Sequence, residues 1–517
     1  MAKTNILMGK SFDKGVRKAG FIAVCICFGL AVPLIFLWNS ERIGEQTLTK
    51  VSYEGVEIIG RKLQMTDGDY FTGIKYGSAK RFESPKMVDF DSPTVATFWP
   101  KDCFGKKNKK GAEDCLYLNV YKCRNLAKIL PVLVLLNVGP NTQNLDPTLL
   151  TRNLACRGMI LVTVSYRKGA MGNFGLNYDD KRVAQEVEDV TLALKWVQNT
   201  IKAFRGNSRN VTVFGAGGGG RIVELLSKDP DQEPLFHKVI QTQAALQHPS
   251  LYTSANQMVV ENSLKLANML NCTDVETIDK LSDHEIDRIY NCTKSHDRKT
   301  IHEQLLAIAS KGDDFPLDSS MFYTNNTLSK NRNLPTLIGS CFRRQKPMNE
   351  SKVGVDTLRE LLNDLPDFKN FLYKQELVDY YVEQFGGKAS LEQAMKQIRF
   401  DYHTLSRLLI RAMENKHTFY FHSTGFCIEN LLFNSHNENR NDKAQHFFAD
   451  AIINFVRSGN PNPRKTKLWP RYRSNSTTNV LSMSNQGFVA QPNPFPEIGN
   501  FWLCKMAQYT GLKPMCN

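Results

Sequence analysis

The apolar positions of this chain change period along its length, and the changes mark its elements. Phe21 to Trp38, "FIAVCICFGLAVPLIFLW", is an uncharged run long enough to cross a bilayer as a helix. "VSYEGVEIIG", from Val51, reads as strand and opens the globular part. "CLYLNVY", Cys115 to Tyr121, alternates like a half-buried strand. "ILPVLVLLNVG" and "MILVTVSY" are near-continuous β-branched and aliphatic runs, as parallel strands covered on both faces require. Val183, Val187, Val190, Leu194, Val197 and Ile201 then fall at helical spacing and make one apolar stripe. The strand "NVTVFG", a glycine-rich turn, the helix "RIVELLS" and the strand "HKVIQTQ" follow. Residues 254 to 415 read as mostly helical, interrupted by "LPTLIGS"; "HTFYFHS" is a further strand and Ala444 to Val456 a further helix. This alternation predicts the α/β class, with a doubly wound, mostly parallel central sheet and helical excursions from it.

Composition changes this picture little. With 42% hydrophobic and 23% charged residues the chain is ordinary globular material. The net charge of +15 is spread over scattered Lys and Arg, and "KKNKK", Lys106 to Lys110, reads as a loop tip. Zinc-finger spacing and aromatic RNA-binding motifs are absent, so the sequence points to no nucleic acid, metal or cofactor. The flanks of the apolar run are more telling. Lys3, Lys10, Lys14, Arg17 and Lys18 precede it against the single acid Asp13, and "NSERIGEQ" after it is near neutral. That bias keeps the amino end in the cytosol and exports the rest. The competing reading is a cleaved signal peptide; against it stand the length of the run and its bulky end, with no A-x-A-like site. The expected division is a basic tail over 1–20, a transmembrane signal anchor over 21–38, a stalk over 39–50 and a globular ectodomain over 51–517. The molecule is then a single-pass type II membrane protein with its ectodomain lumenal or extracellular, most simply at the plasma membrane.

Ten of the twelve cysteines lie beyond the apolar run. Cys103 and Cys115 bracket the basic loop, and Cys272 and Cys292 bracket a helical stretch; an oxidising compartment makes both candidate bridges without proving connectivity. Sequons stand at Asn210, Asn271, Asn291, Asn325, Asn349 and Asn475, of which the last five are the candidate glycosylation sites.

The turn in "VTVFGAGGGGRIVELL" has two readings. Gly215, Gly217 and Gly220 spell the G-x-G-x-x-G of a dinucleotide site, while Gly215 and Gly219 frame a nucleophile elbow, G-x-S-x-G, with Gly217 in place of serine. A dinucleotide turn follows the first strand and has a carboxylate at the end of the next one. Here several strands come first, and the next strand ends in "IQTQAA".

The surroundings of the turn favour the elbow, because the chain resembles the type-B carboxylesterase/cholinesterase family. The resemblance rests on "FTGIKYGSAKRFESP", "EDCLYLNVY", "VTVSYRKGAMGNFGL", "LALKWVQNTIKAFRGNSRNVTVFG", "LFHKVIQTQ" and "FVRSGNPNP…WPRY", in the family's order and across most of the chain from Val51 onward. It implies an α/β-hydrolase fold and a Ser, acidic, His triad. At the matching positions stand Gly217 for the serine and Arg344, in "LIGSCFRRQ", for the carboxylate. "GFCIENLLF", Gly425 to Phe433, holds no histidine, and His422 and His436 fall out of register. "NVGPN", Asn137 to Asn141, replaces the H-G-G-G of the oxyanion segment, and its proline lacks an N–H. The expectation is a pseudo-esterase with no catalytic residues. The resemblance also implies the Cys103–Cys115 and Cys272–Cys292 bridges, while the family's third bridge is missing near Thr404 and Cys504 with Cys516 is a substitute pair.

An anchor, an exported esterase-like domain and a missing triad together resemble the cholinesterase-like adhesion molecules, the neurotactin group nearest. The first expectation is therefore binding to another extracellular or cell-surface protein. The second is a carrier or sensor holding a hydrophobic ligand in the old acyl pocket. The third is an active ester hydrolase using atypical groups such as Cys341 or Cys427. Relatives of the family dimerise through helices, which leaves a homodimer open.

Overall fold

A computed structural model describes residues 47–64, 66–90, 93–104, 111–126, 128–136, 145–176, 185–228, 234–242, 255–277, 281–297, 300–301, 303–304, 333–342, 374–385, 417–424, 442–463, 468–471, 480–484 and 487–491. The apolar run 21–38, its basic flank and the stalk lie outside them. Among the described residues no helix is long and apolar enough to cross a membrane.

The run read as one strand from Val51 is a hairpin. β1 (Leu48–Tyr53) turns through Glu54 and Gly55, both at positive φ (48° and 85°), into antiparallel β2 (Val56–Lys62). Two positive φ values in a two-residue loop match the twist of paired strands. β3 (Gly68–Lys75) follows, then the short β4 (Gly77–Ser78), β5 (Lys86–Met87) and β6 (Thr94–Val95). β7 (Tyr117–Cys123), β8 (Leu130–Leu136), β9 (Ile160–Val164), β10 (Gly206–Ala216), β11 (Lys238–Thr242), β12 (Thr336–Phe342), β13 (Thr418–Thr424), β14 (Val480–Ser484) and β15 (Gly487–Gln491) complete the set. The helices are α1 (Pro147–Asn153), α2 (Gln185–Thr200), α3 (Gly218–Lys228), α4 (Ala255–Met269), α5 (Asp283–Ser295), α6 (Lys374–Phe385) and α7 (Asp442–Ser458).

Among the described residues one mixed sheet of 13 strands runs β1-β2-β3-β7-β9-β8-β10-β11-β12-β13-β14-β15, with β6 beside β2. From β9 to β14 every neighbour is parallel. The path is antiparallel from β1 to β9 and again at β14–β15.

The continuous apolar runs have the cause expected of them. In β8, Leu130, Val132, Val134 and Leu136 enter one core with Val190, Leu194 and Val197 of α2 and Ile222 and Val223 of α3. Leu133 and Leu135 point to the other face and pack with Ile452, Phe455 and Val456 of α7. Both faces are thus covered by helices, and each such side chain withdrawn from water contributes about 1.5–3 kcal/mol. The same cover overturns the half-buried reading of "CLYLNVY": Leu118, Asn119, Val120 and Tyr121 of β7 are all buried. Its polar position is a buried connector. Asn119 Oδ1 accepts from Gly73 N at 2.9 Å, and Asn119 Nδ2 donates to Thr163 Oγ1 at 3.1 Å.

A third core belongs to the helical excursion. Val260, Leu264 and Ala267 of α4 and Ile289 of α5 enclose Phe82 and Phe174, whose rings stack with centroids 4.0 Å apart. The segment carrying Phe82 is held on both sides. Arg81 pairs with Glu113 and donates to the Lys294 and His296 carbonyls at the end of α5, and Lys294 pairs with Glu83. Arg167 Nη1 donates to the Glu83 carbonyl at 2.8 Å.

Candidate functional site

β10 brings "VTVFGA" to the carboxyl end of the parallel strands, between β8 and β11. Ligand sites in open α/β sheets gather at that end. The chain then turns through Gly217 into α3. Gly217 sits at φ +52°, its N–H donates to the Thr242 carbonyl at 2.9 Å, and its carbonyl accepts from Gly220 N at 3.0 Å. Among the described residues, a Cβ on Gly217 would meet nothing within 4 Å. The glycines on either side differ. A Cβ on Gly215 would lie 2.3 Å from the Gly219 carbonyl oxygen, and one on Gly219 would lie 2.4 Å from the Leu136 carbonyl oxygen. Close packing of strand, turn and helix thus demands glycine at 215 and 219 and leaves 217 open. This is the spacing of a nucleophile elbow, whose central side chain projects freely while small residues flank it.

The elbow offers no hydroxyl, thiol or carboxylate at its tip. Behind it the polar groups serve the fold: Gln241, opposite Gly215 in the β10–β11 register, donates through Nε2 to Glu224 Oε2 of α3 at 3.0 Å. Arg167, just after β9, makes a two-pronged pair with Asp189 of α2, Nε to Oδ2 at 2.9 Å and Nη2 to Oδ1 at 2.7 Å. Burial pushes the Asp189 carboxyl up, and the guanidinium beside it opposes that shift. This pair was not singled out in the sequence; a polar residue beside the apolar stripe of α2 was the available signal.

Topology sets where the chain leaves the strands that precede the other anticipated positions. β10, β11, β12 and β13 are parallel neighbours, so the chain leaves β12 at Phe342 and β13 at Thr424 on the side of the elbow. Arg344 follows Phe342 by two positions and lies outside the described residues, as do Asn137 to Asn141, the run Gly425 to Phe433 with Cys427, and His436. Cys341 and His422 belong to β12 and β13, where Ser340 stands opposite His422.

Both expected bridges are present, Cys103–Cys115 and Cys272–Cys292. A further one, Cys123–Cys156, ties the end of β7 to the turn after α1. Sequence reading missed it, since only the packing of that turn beside β7 brings the two cysteines together. Cys504 and Cys516 lie outside the described residues. Cys272, Cys292 and His296 bring their ligand atoms within 4.8 Å of one another, but the sulfurs are bonded to each other and offer no thiolates to a metal.

Of the sequons, Asn271 and Asn291 are exposed. Asn210 lies in β10 with its amide engaged, accepting from Lys238 Nζ and donating to the Arg457 carbonyl. Asn325, Asn349 and Asn475 lie outside the described residues.

Comparison with known proteins agrees with this geometry. The model of the carboxylesterase family matches residues 47–418. Acetylcholinesterase 1 of Caenorhabditis elegans is 29% identical over 317 residues, 56% of this chain and 48% of that protein. Acylcarnitine hydrolase of Rattus norvegicus is 32% identical over 284 residues, 49% of this chain and 50% of its own. Cocaine esterase of Oryctolagus cuniculus is 32% identical over 169 residues, 32% of this chain and 31% of its own. The matched stretches therefore span from about a third to half of these relatives. A family match over most of the chain, an elbow at the end of a central parallel strand and a mixed sheet wrapped by helices have one common account: the chain belongs to the carboxylesterase family and has its α/β-hydrolase fold.

Proposed function

We propose that this chain is a carboxylesterase-family protein that has lost ester hydrolysis and acts by binding another extracellular protein. The observation that carries the proposal is Gly217. The elbow keeps its packing, yet the position from which a nucleophile projects has no side chain. Serine hydrolases need an activated hydroxyl, a base and an orienting acid, and the residues matching those roles are Gly217, the histidine-free run 425–433 and Arg344. A surface available for binding fits the same reading. Met87, Val95, Phe98 and Trp99 are 44%, 53%, 48% and 41% exposed, and they are the candidate apolar contacts for a partner. Export follows from the basic flank before the apolar run 21–38, with the run as signal anchor. The neurotactin-like adhesion role belongs to this proposal.

The names of the relatives favour a second reading, an active ester hydrolase. Purified ectodomain decides between them. Turnover of aryl and acyl esters no faster than a denatured control, with a partner captured from a cell-surface display, supports the binding role. Ester turnover well above that control overturns it. A saturable apolar ligand that co-purifies would point to a carrier instead.

A further inference from the structure

Two sequons share one disulfide. Asn271-Cys272-Thr273 and Asn291-Cys292-Thr293 each place a cysteine between acceptor and hydroxyl, and those two cysteines are bonded to each other. We propose that Asn291 is a conditional N-glycosylation site, gated by closure of the Cys272–Cys292 bridge, while Asn271 receives its oligosaccharide before the bridge can form. The inference rests on the export reading above.

The geometry at Asn291 is the first ground. Asn291 is exposed on α5, whereas Thr293 is 0% exposed and donates its hydroxyl to the Ile289 carbonyl at 2.8 Å. Residues two apart on a helix point to nearly opposite sides. Transfer to a sequon needs the asparagine amide and the threonine hydroxyl together in one enzyme site. The folded helix separates them, and the bridge ties Cys292 to the turn after α4. The acceptor is therefore usable only while this segment is open. Asn271 is placed otherwise. It follows the end of α4 in a turn, exposed and at φ +54°, and the Thr273 Oγ1 beyond it accepts from Val275 N at 3.2 Å.

Synthesis order is the second ground. Cys272 and Cys292 are 20 residues apart. Chains grow at about 5–20 residues per second, so Asn271 and its cysteine emerge roughly one to four seconds before Cys292 exists. No closure of this bridge can compete at Asn271 in that interval. Cys292 emerges with its partner already waiting.

The two competing reactions are distinct. In glycosyl transfer the Asn291 Nδ2 bonds to the anomeric carbon of a lipid-pyrophosphate-linked oligosaccharide. The bond from that carbon to the pyrophosphate oxygen breaks, and the amide proton leaves with the lipid pyrophosphate. In bridge formation Cys272 and Cys292 give two protons and two electrons to the disulfide of a thiol–disulfide oxidoreductase, which leaves as a dithiol. Whichever acts first at residues 291–293 decides whether α5 carries an oligosaccharide.

The test uses the full chain expressed in eukaryotic secretory cells. Occupancy at Asn271 and Asn291 is read on total cellular chain by peptide mass spectrometry after enzymatic glycan release in heavy-oxygen water. In wild type, Asn271 is expected to be occupied and Asn291 only in part. Cys272→Ser removes the waiting partner and keeps both sequons, and Asn291 occupancy should rise about twofold or more, since bridge closure on a scale of seconds no longer competes. A pulse of membrane-permeant thiol reductant during synthesis should do the same to the wild-type chain, without relying on a variant's folding. Glycan at Asn271 with Asn291 unchanged under both treatments overturns the gating alone, as does Asn291 bare throughout. Bare asparagines at both sites with Cys272 and Cys292 as free thiols overturn the export reading and the gating with it.

Discussion

A Cβ at position 217 would meet none of the described residues within 4 Å, and it would sit on a left-handed backbone. These two facts set the outcome of Gly217→Ser. The variant should fold and lose about 1–3 kcal/mol for a non-glycine residue at positive φ, measured by urea unfolding. It should not gain esterase activity, because a serine without a base stays a weak nucleophile. Ester turnover by this variant would show that a base does face the elbow. Lys238 offers a prediction in pH. Burial pushes its amine down to about 8, and its Nζ donates to Asn210 Oδ1. The unfolded chain therefore binds more protons between pH 8 and the ordinary lysine range near 10.4, so this residue makes stability rise with pH across that window. Unfolding free energies at several pH values should show a shallower rise for Lys238→Met than for wild type. Equal slopes would mean that Lys238 keeps its proton in the folded state.

Among the elements, the segment from Lys80 to Glu83 depends on its neighbours more than on itself. Arg167 reaches it from the end of β9 through the Lys80 and Glu83 carbonyls, while its other prongs hold Asp189 in α2. Arg167→Ala leaves a buried carboxylate unpaired and the segment untied, and it should cost about 3–5 kcal/mol in thermal or urea unfolding. Arg167→Lys should recover little, since one ammonium cannot repeat the fork. A loss within experimental error in both variants would show that the pair is no anchor. Element identity was the readiest thing to see in the residues. The stripe from Val187 to Val197 is α2, and "ILPVLVLL" is β8. The hairpin β1–β2 was not seen, because Glu54-Gly55 interrupts the apolar pattern only briefly. Half-burial of β7 was wrong because alternation in sequence says which residues differ, not which are exposed; Asn119 is polar and buried, satisfied by Gly73 and Thr163.

For the molecule as a whole, export is the proposal with most at stake. If the run 21–38 is an anchor, carbonate extraction should leave the chain in the membrane pellet, and protease added outside should remove the ectodomain and spare an amino-terminal tag. Ectodomain recovered from the medium with a new terminus near Asn39 would show a cleaved signal peptide instead. Binding would survive that result as the act of a secreted protein. The bridges bear on the same question. Three disulfides among the described residues suit an oxidising compartment. Loss of Cys123–Cys156 by Cys156→Ser should lower stability by about 4 kcal/mol on the chain-entropy account of a loop that long, and unfolding midpoints with and without reductant would check it.

The residues by themselves determined the class of fold, the position of the elbow and the glycine at its tip, because each is written locally. Period marks strand and helix, and a motif a few residues long marks the turn. They also located two of the bridges, through bracketed loops and the family resemblance. Only the tertiary structure showed why glycine is demanded at 215 and 219, since the Gly215–Gly219 and Gly219–Leu136 contacts involve backbone from separate elements. It alone placed Cys123 beside Cys156 and buried Asn119. It also turned Asn291 and Thr293 to opposite sides of one helix, because packing brings together what the chain keeps apart and hides what the chain leaves adjacent.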